Sequence, residues 1–480
     1  MPGCGQSSST SPQPPVKRGP TSQTNVQDEL FRTVADNLER LPDFEPQQIL
    51  TQIRDRLNQW VQQANPKIEW KPDPLIGTLP KELQQIAEYR LDELDFTDSD
   101  VRLLQESVWL RDISMTARRG NLQDIELAAS LFDWIVRNVQ LVAEPDNPRQ
   151  YYQVPTQILL LGRGRAAERG WLFMLLARQQ GLDSVMLPVP GETDGEGPYW
   201  IPALLSEGQL YLFDPRLGLP IPGPDGKGIA TFAQATTDES LLRKLDLDGE
   251  HRYPFTAERL KSAAAYVEAS PGYLTKRMKL VESHLSGSQR IVLTAAPSAL
   301  AKRVQDLGQV AQTSLWQFPY EIIKRQSLLD QRGQRAVTDE LLHLNFSPQL
   351  FKGRTLQFKG TYDGPKGAKR EFLAARPSKA QLDAVQIDTR VRDGLETAKQ
   401  FASLWLGLIA FEQEDYPVAI DYFGKRSLEE SPDSSLADAA RYNLARSYEA
   451  NREPDRAIAL YRSDASPQSY GNKLRARSLA

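Results

Sequence analysis

Residues 162–182 read GRGRAAERGWLFMLLARQQGL: a glycine-rich lead, an apolar run and a Gly-Leu close. Two kinds of site are built on such a stretch. Gly162, Gly164 and Ala167 satisfy GxGxxA, a pattern that lets bare backbone approach a pyrophosphate at a helix N-terminus. Alternatively, the run from Trp171 to Leu176 is apolar all round, which marks a helix buried on every side. A nucleophile at the first turn of such a helix gains from the helix dipole, which lowers a thiol's pKa. The flanking sequence separates the two readings.

For the dinucleotide reading, QILLL (157–161) is expected as a first strand and DSVMLPV (183–189) as a second. The acid that should close the second strand, about twenty residues on, is absent: Pro188-Val189-Pro190 stands there and Glu192 comes late. Next come YWIPALL (199–205) and QLYLFD (209–214), strand candidates joined by a glycine-bearing turn of hairpin length. A hairpin takes the place of the strand–helix–strand crossover. GPDGKG (223–228) lacks P-loop spacing. Dinucleotide binding through GxGxxA is the lesser alternative.

The stretch from Ala128 to Asp214 resembles the transglutaminase-like domain of bacterial proteins, which has a papain-like core. In that family a helix like SLFDWIVRNVQL (130–141) precedes a Gly-rich turn, a cysteine and a helix ending in Leu-x-Arg-x-x-Gly-hydrophobic. A strand with His-x-Trp follows, then Asp-Pro after another strand. Gly164 matches the turn, and Leu176, Arg178, Gly181 and Leu182 match the helix end. Trp200 and Asp214-Pro215 match the later positions. The departures fall on the chemistry. Counting from Gly181 puts the nucleophile position at Ala166, and counting from Trp200 puts the histidine position at Pro198. Only Asp214 of the triad remains, and a methyl group cannot attack a carbonyl.

The resemblance therefore implies a degenerate core without acyl-transfer chemistry, whose cleft binds a peptide. Arg163, Arg165, Glu168, Tyr199, Trp200 and Asp214 are the candidates to line it, because a carboxylate with two arginines suits a peptide terminus or an anionic group. Rebuilt amide-bond chemistry on Glu168, Tyr199 or Asp214 is the alternative. Each residue also has a structural reading. Glu168 complements the helix dipole, the arginines are solvated, Asp214 shapes the turn before Pro215, and the aromatics fill core.

Five segments follow along the chain. Residues 1–24 form a Ser/Pro-rich leader of disordered composition. Residues 25–121 are helical, with Leu30, Val34 and Leu38, then Ile49, Ile53, Leu57 and Val61, at four-residue spacing. Residues 122–229 hold the papain-like core. Residues 230–395 are mainly helical with no assigned role, interrupted by QRIVLTA (289–295) and GRTLQFKGTYDGPKGAKREF (353–372), the latter expected to contain a hairpin.

Residues 396–480 contain an internal repeat. Leu406-Gly407 recurs as Leu444-Ala445, Ala419 as Ala457 and Phe423 as Tyr461, with Pro432 where the first copy should end. Small residues paired with an aromatic in this way resemble the tetratricopeptide repeat. Two copies are fewer than usually stand alone, so they should lean on the rest of the chain or on a partner.

Composition narrows the function classes. The 480 residues are 40% hydrophobic and 25% charged with net charge −4, and no basic stripe points to nucleic acid. No apolar run approaches the roughly 18 residues that would span a membrane. Cys4 is the single cysteine, which rules out an intrachain disulfide framework and a multi-cysteine metal site. His251, His284 and His343 lack metal-ligand spacing, so neither metal nor cofactor is expected.

Gly3-Cys4 before Gly5 and a serine run resembles the tether of a bacterial lipoprotein, although only three residues precede Cys4. That resemblance makes Cys4 the candidate for a lipid anchor and the cell envelope the expected location, with the cytoplasm otherwise. The expectation as a whole is a multidomain, mostly α protein with a central α+β papain-like core and tetratricopeptide-type hairpins. It would act as a non-catalytic scaffold that binds peptide or protein through the cleft and the repeat pair.

Overall fold

A computed structural model describes residues 21–144, 153–190, 198–247, 249, 251–384 and 388–480. Cys4, Glu192 and most of the expected leader lie outside the described residues. The chain is mostly helical around one six-stranded mixed sheet and a separate two-residue parallel pair.

The N-terminal part follows its apolar spacing. Helix α1 (Thr21–Glu39), which begins within the expected leader, packs on α2 (Pro46–Ala64), and Val34, Leu38, Ile49, Ile53 and Leu57 are buried between them. Asn65 ends α2 in the left-handed conformation, which asparagine tolerates better than most residues. After α3 (Lys81–Glu88), helix α4 (Asp98–Ala117) opens on a reciprocal cap. The Thr97 hydroxyl accepts from the Asp100 backbone N–H while the Asp100 carboxylate accepts from the Thr97 N–H.

Helix α5 (Asp124–Asn138) runs into β1 (Gln140–Leu141). Helix α6 (Pro155–Leu161), β2 (Arg163–Gly164) and α7 (Ala166–Gln179) follow after the undescribed 145–152. The expectation of a strand at QILLL is corrected: it is α6, started by Pro155 and stopped by Gly162 at φ 60°. A short apolar run does not distinguish buried strand from buried helix by periodicity; here the proline and glycine at its ends set a helix. GxGxxA thus joins helix to helix. β1 and β2 pair parallel over two residues each, and this is not the strand–turn–helix of a dinucleotide site.

The main sheet has the order β6-β5-β4-β3-β7-β8. β3 (Asp183–Val189), β4 (Tyr199–Ser206), β5 (Gln209–Asp214) and β6 (Leu219–Pro220) are antiparallel neighbours. Glu207 and Gly208, both at positive φ, make the β4–β5 turn, the geometry that matches strand twist in a two-residue hairpin. β7 (Ala265–Val267) pairs antiparallel with β3, and β8 (Thr313–Leu315) parallel with β7. The sheet therefore draws two strands from beyond residue 229. QRIVLTA pairs with no strand, and the hairpin expected in 353–372 is replaced by helices Pro348–Phe358 and Ala368–Ala374.

Helix α7 lies across β3 and β4. Its backbone comes close enough that a methyl group on Gly170 would stand 2.7 Å from Met186 Cε. Gly181, at φ 75°, ends the helix, with the Leu182 N–H reaching back to the Ala177 carbonyl.

At the C-terminus, helix Thr389–Glu412 turns back as Tyr416–Asp421, which continues π-helically over Tyr422–Glu429. Ala437–Ala450 turns back as Pro454–Arg462, and Ser469–Leu479 closes the chain. Ala419, Ala445 and Ala457 are buried where these helices meet. Ion pairs fasten the hairpins to α5: Arg137 to Glu412, buried, at 2.5 Å, and Asp133 to Arg446, half-buried, at 2.7 Å. One hydrophobic cluster runs from Trp109 through α5 and α7 to Tyr461 and Ala476, so the C-terminal segment shares the core. Among the described residues no helix is long and apolar enough to cross a membrane.

Candidate functional site

Ala166 is the first residue of α7 and is buried, with Arg165 at the N-cap in extended conformation. The Glu168 carboxylate turns back to accept from the backbone N–H of Arg165 at 2.8 Å and of Gln153 at 2.5 Å. Glu168 is 1% exposed, and burial pushes its carboxyl up to about 7 against the pull of those two N–H groups and the Arg165 charge.

Pro198 stands exposed at the foot of β4, and Tyr199 and Trp200 follow on alternate faces of the sheet. Tyr199 meets Phe255 edge-on at 5.2 Å and carries the Arg216 guanidinium 4.3 Å above its ring. Trp200 faces the α7 side, against Trp316 at 5.6 Å and Phe318 at 6.1 Å.

Asp214 ends β5. Phe213 packs on the α7 side against Phe132 and Phe173. Asp214 therefore points to the other face, with Leu210 and Leu212. There its carboxylate, 2% exposed, accepts from the N–H groups of Arg216 (2.8 Å) and Leu217 (3.0 Å) and from the Tyr253 hydroxyl (2.8 Å). Burial raises its pKa against those three bonds.

The six residues expected in one cleft therefore divide. Arg163, Arg165 and Glu168 line a cavity of about 460 Å³ with Leu329, Val337 and Glu340, and Arg163 stands 3.5 Å from Glu340. Tyr199, Trp200 and Asp214 are not among its lining residues, and Ala166 does not open into it. Arg163 and Glu340 also border a second cavity of about 220 Å³, which holds His343. Its ring stacks on Phe401 at 4.2 Å, and burial lowers its pKa to about 4.

Sequence reasoning missed Arg169. This guanidinium is 2% exposed, donates to the carbonyls of Val139 and Pro215 and to the Gln468 side chain, and is pulled down to about 9 by burial. Its place three residues after Ala166 was visible; its partners, distant in sequence, were not. Among the described residues no three His, Cys, Asp or Glu side chains gather to hold a metal ion.

No family model, curated protein or solved structure matches the chain.

Proposed function

We propose that the chain is a non-catalytic scaffold built on a degenerate transglutaminase-like core, with tetratricopeptide-type hairpins offering a surface to a protein or peptide partner. The carrying observation is the placement of Asp214. Its carboxylate lies on the sheet face away from α7 with three hydrogen bonds already made, while the start of α7 presents a buried methyl group. A nucleophile–base–orienter chain needs each member within hydrogen-bond reach of the next, and positions 166, 198 and 214 supply no such chain.

The order of a buried helix followed by an antiparallel three-strand meander also supports the reading, as does the repeated small–aromatic packing of the hairpins. Attachment at the cell envelope through Cys4 belongs to the same proposal. The test is an assay of the purified protein for amide hydrolysis and for amine cross-linking to glutamine side chains. Neither should be detected. Saturable turnover that co-purifies with the folded protein would overturn the reading.

A second reading rests on Glu168, whose carboxyl near 7 borders a cavity with Arg163 and Arg165. A group titrating near neutrality suits acid–base chemistry. If turnover is found, its loss in Glu168→Gln would favour this rebuilt site.

A further inference from the structure

The side chain that bridges α7 and the Asp214 turn comes from the far end of the chain. Arg169 Nη1 donates to Gln468 Oε1 at 2.5 Å, and Gln468 Nε2 donates to the Leu217 carbonyl at 2.5 Å and toward that of Arg216 at 3.4 Å. One end of the carboxamide meets a cation and the other meets two carbonyls. A carboxylate of the same shape would satisfy the first and repel the second. Both sides of the contact are pared to backbone. A methyl group at 471 would lie 1.8 Å from the Leu217 oxygen, and one at 218 would lie 2.5 Å from Gln468 Nε2.

The segment that delivers Gln468 holds its own shape. The Asp464 carboxylate accepts from the Ser466 N–H and hydroxyl and from Asn472 Nδ2, and the Ser466 hydroxyl accepts from the Gln468 N–H. These bonds close within residues 464–472 and need nothing from the cradle. Among the described residues Arg169, by contrast, has no carboxylate partner; its hydrogen bonds go to carbonyl oxygens of the backbone and of Gln468. Such a buried cation is costly unless its donors are met.

We propose that Arg169 and the 215–218 turn form a recognition site for a primary carboxamide, and that residues 464–472 are its intrachain occupant. A partner that presents a glutamine side chain on a Ser-Pro-Gln-Ser-like segment would compete for the same cradle. This rests on the scaffold reading and adds a regulation to it: the chain's own C-terminal segment occupies the cradle that a partner's glutamine would enter. Because the occupant is tethered, a competing peptide works against a high effective concentration, so occupancy from outside needs the plug weakened.

The test is hydrogen exchange on the full-length chain, comparing wild type, Gln468→Ala and the isosteric Gln468→Glu. Both variants should speed exchange about tenfold or more at 214–218 and 464–472, and leave the helices Thr389–Glu412 and Ala437–Ala450 unchanged. A synthetic peptide with the sequence of residues 464–472, added to Gln468→Ala, should restore protection at 214–218. The same peptide with glutamate for glutamine should not.

The proposal is overturned if 214–218 stays protected in both variants, or if Gln468→Glu is protected like wild type, since Arg169 would then accept any acceptor. It is also overturned if neither peptide, or both, restores protection. These readouts do not depend on amide turnover, so they fail or succeed separately from the scaffold reading.

Discussion

The Tyr253 hydroxyl donates to the Asp214 carboxylate at 2.8 Å on the sheet face that α7 does not touch. Asp214 is thus employed in closing the turn after β5. Removing it should be a matter of stability. Asp214→Ala would leave the N–H groups of Arg216 and Leu217 and the Tyr253 hydroxyl without their acceptor. With about 1–3 kcal/mol for each buried unsatisfied group, the expected loss is about 3 kcal/mol or more in urea unfolding. Tyr253→Phe should cost about 1 kcal/mol. A near-neutral Asp214→Ala would contradict this role.

Glu168 should make stability fall as pH rises from about 4.5 to 7, while His343, lowered to about 4 by burial, works the other way between about 4 and 6.5. The folded protein keeps the Glu168 proton up to about 7 because burial disfavours the charge, whereas an unfolded glutamate releases it near 4.5. The folded state binds more protons across that window, so unfolding free energy declines there and levels above it. Burial raises Glu106 to about 7 as well, opposed by the Thr156 hydrogen bonds. Burial works against Asp133 too, but Arg446 and Arg137 hold it well below the usual range, which places its effect in more acid solution. Glu168→Gln should remove on the order of 3 kcal/mol of this slope. An unchanged pH profile would count against the buried-carboxylate account.

Glu412 anchors the C-terminal hairpins through Arg137, with side chains 6% and 1% exposed. Breaking a buried pair strands the remaining charge, which costs on the order of 3–5 kcal/mol; the second contact of Arg137 with Asp133 softens this. Glu412→Gln is expected to lose about 2–3 kcal/mol, largely unaffected by 0.5 M salt because the pair is not solvated. A loss that disappears with added salt would place the pair at the surface.

Gly407→Ala sets two effects against each other. In an exposed helix it would gain about 1 kcal/mol. Here the new methyl group would stand 2.6 Å from the Phe423 ring, and overpacking costs about 1–3 kcal/mol. The net effect should be destabilising by thermal unfolding, and Phe423→Leu in the same chain should recover part of it. Alanine occupies the equivalent position 445 in the second copy, so Ala445→Gly should be destabilising.

Strong local patterns were legible. The four-residue spacing of α1 and α2, the all-round apolar α7 and the Glu207-Gly208 turn each follow from residues close in sequence, where backbone preference and burial agree. QILLL and 353–372 misled because short apolar runs fit helix and strand alike, and the caps decided between them. The six cleft candidates were drawn together by order along the chain. The alternation of β4 and β5 instead sends Tyr199 and Asp214 to one face and Trp200 to the other.

From sequence alone it follows that Ala166 and Pro198 cannot attack or relay a proton, because side-chain chemistry needs no coordinates. Only the tertiary structure decided where Asp214 points, that Glu168 seals the start of α7, and that Gln468 reaches Arg169 across 299 positions of chain. Those outcomes depend on strand parity and on contacts between segments far apart in sequence, which no local pattern encodes.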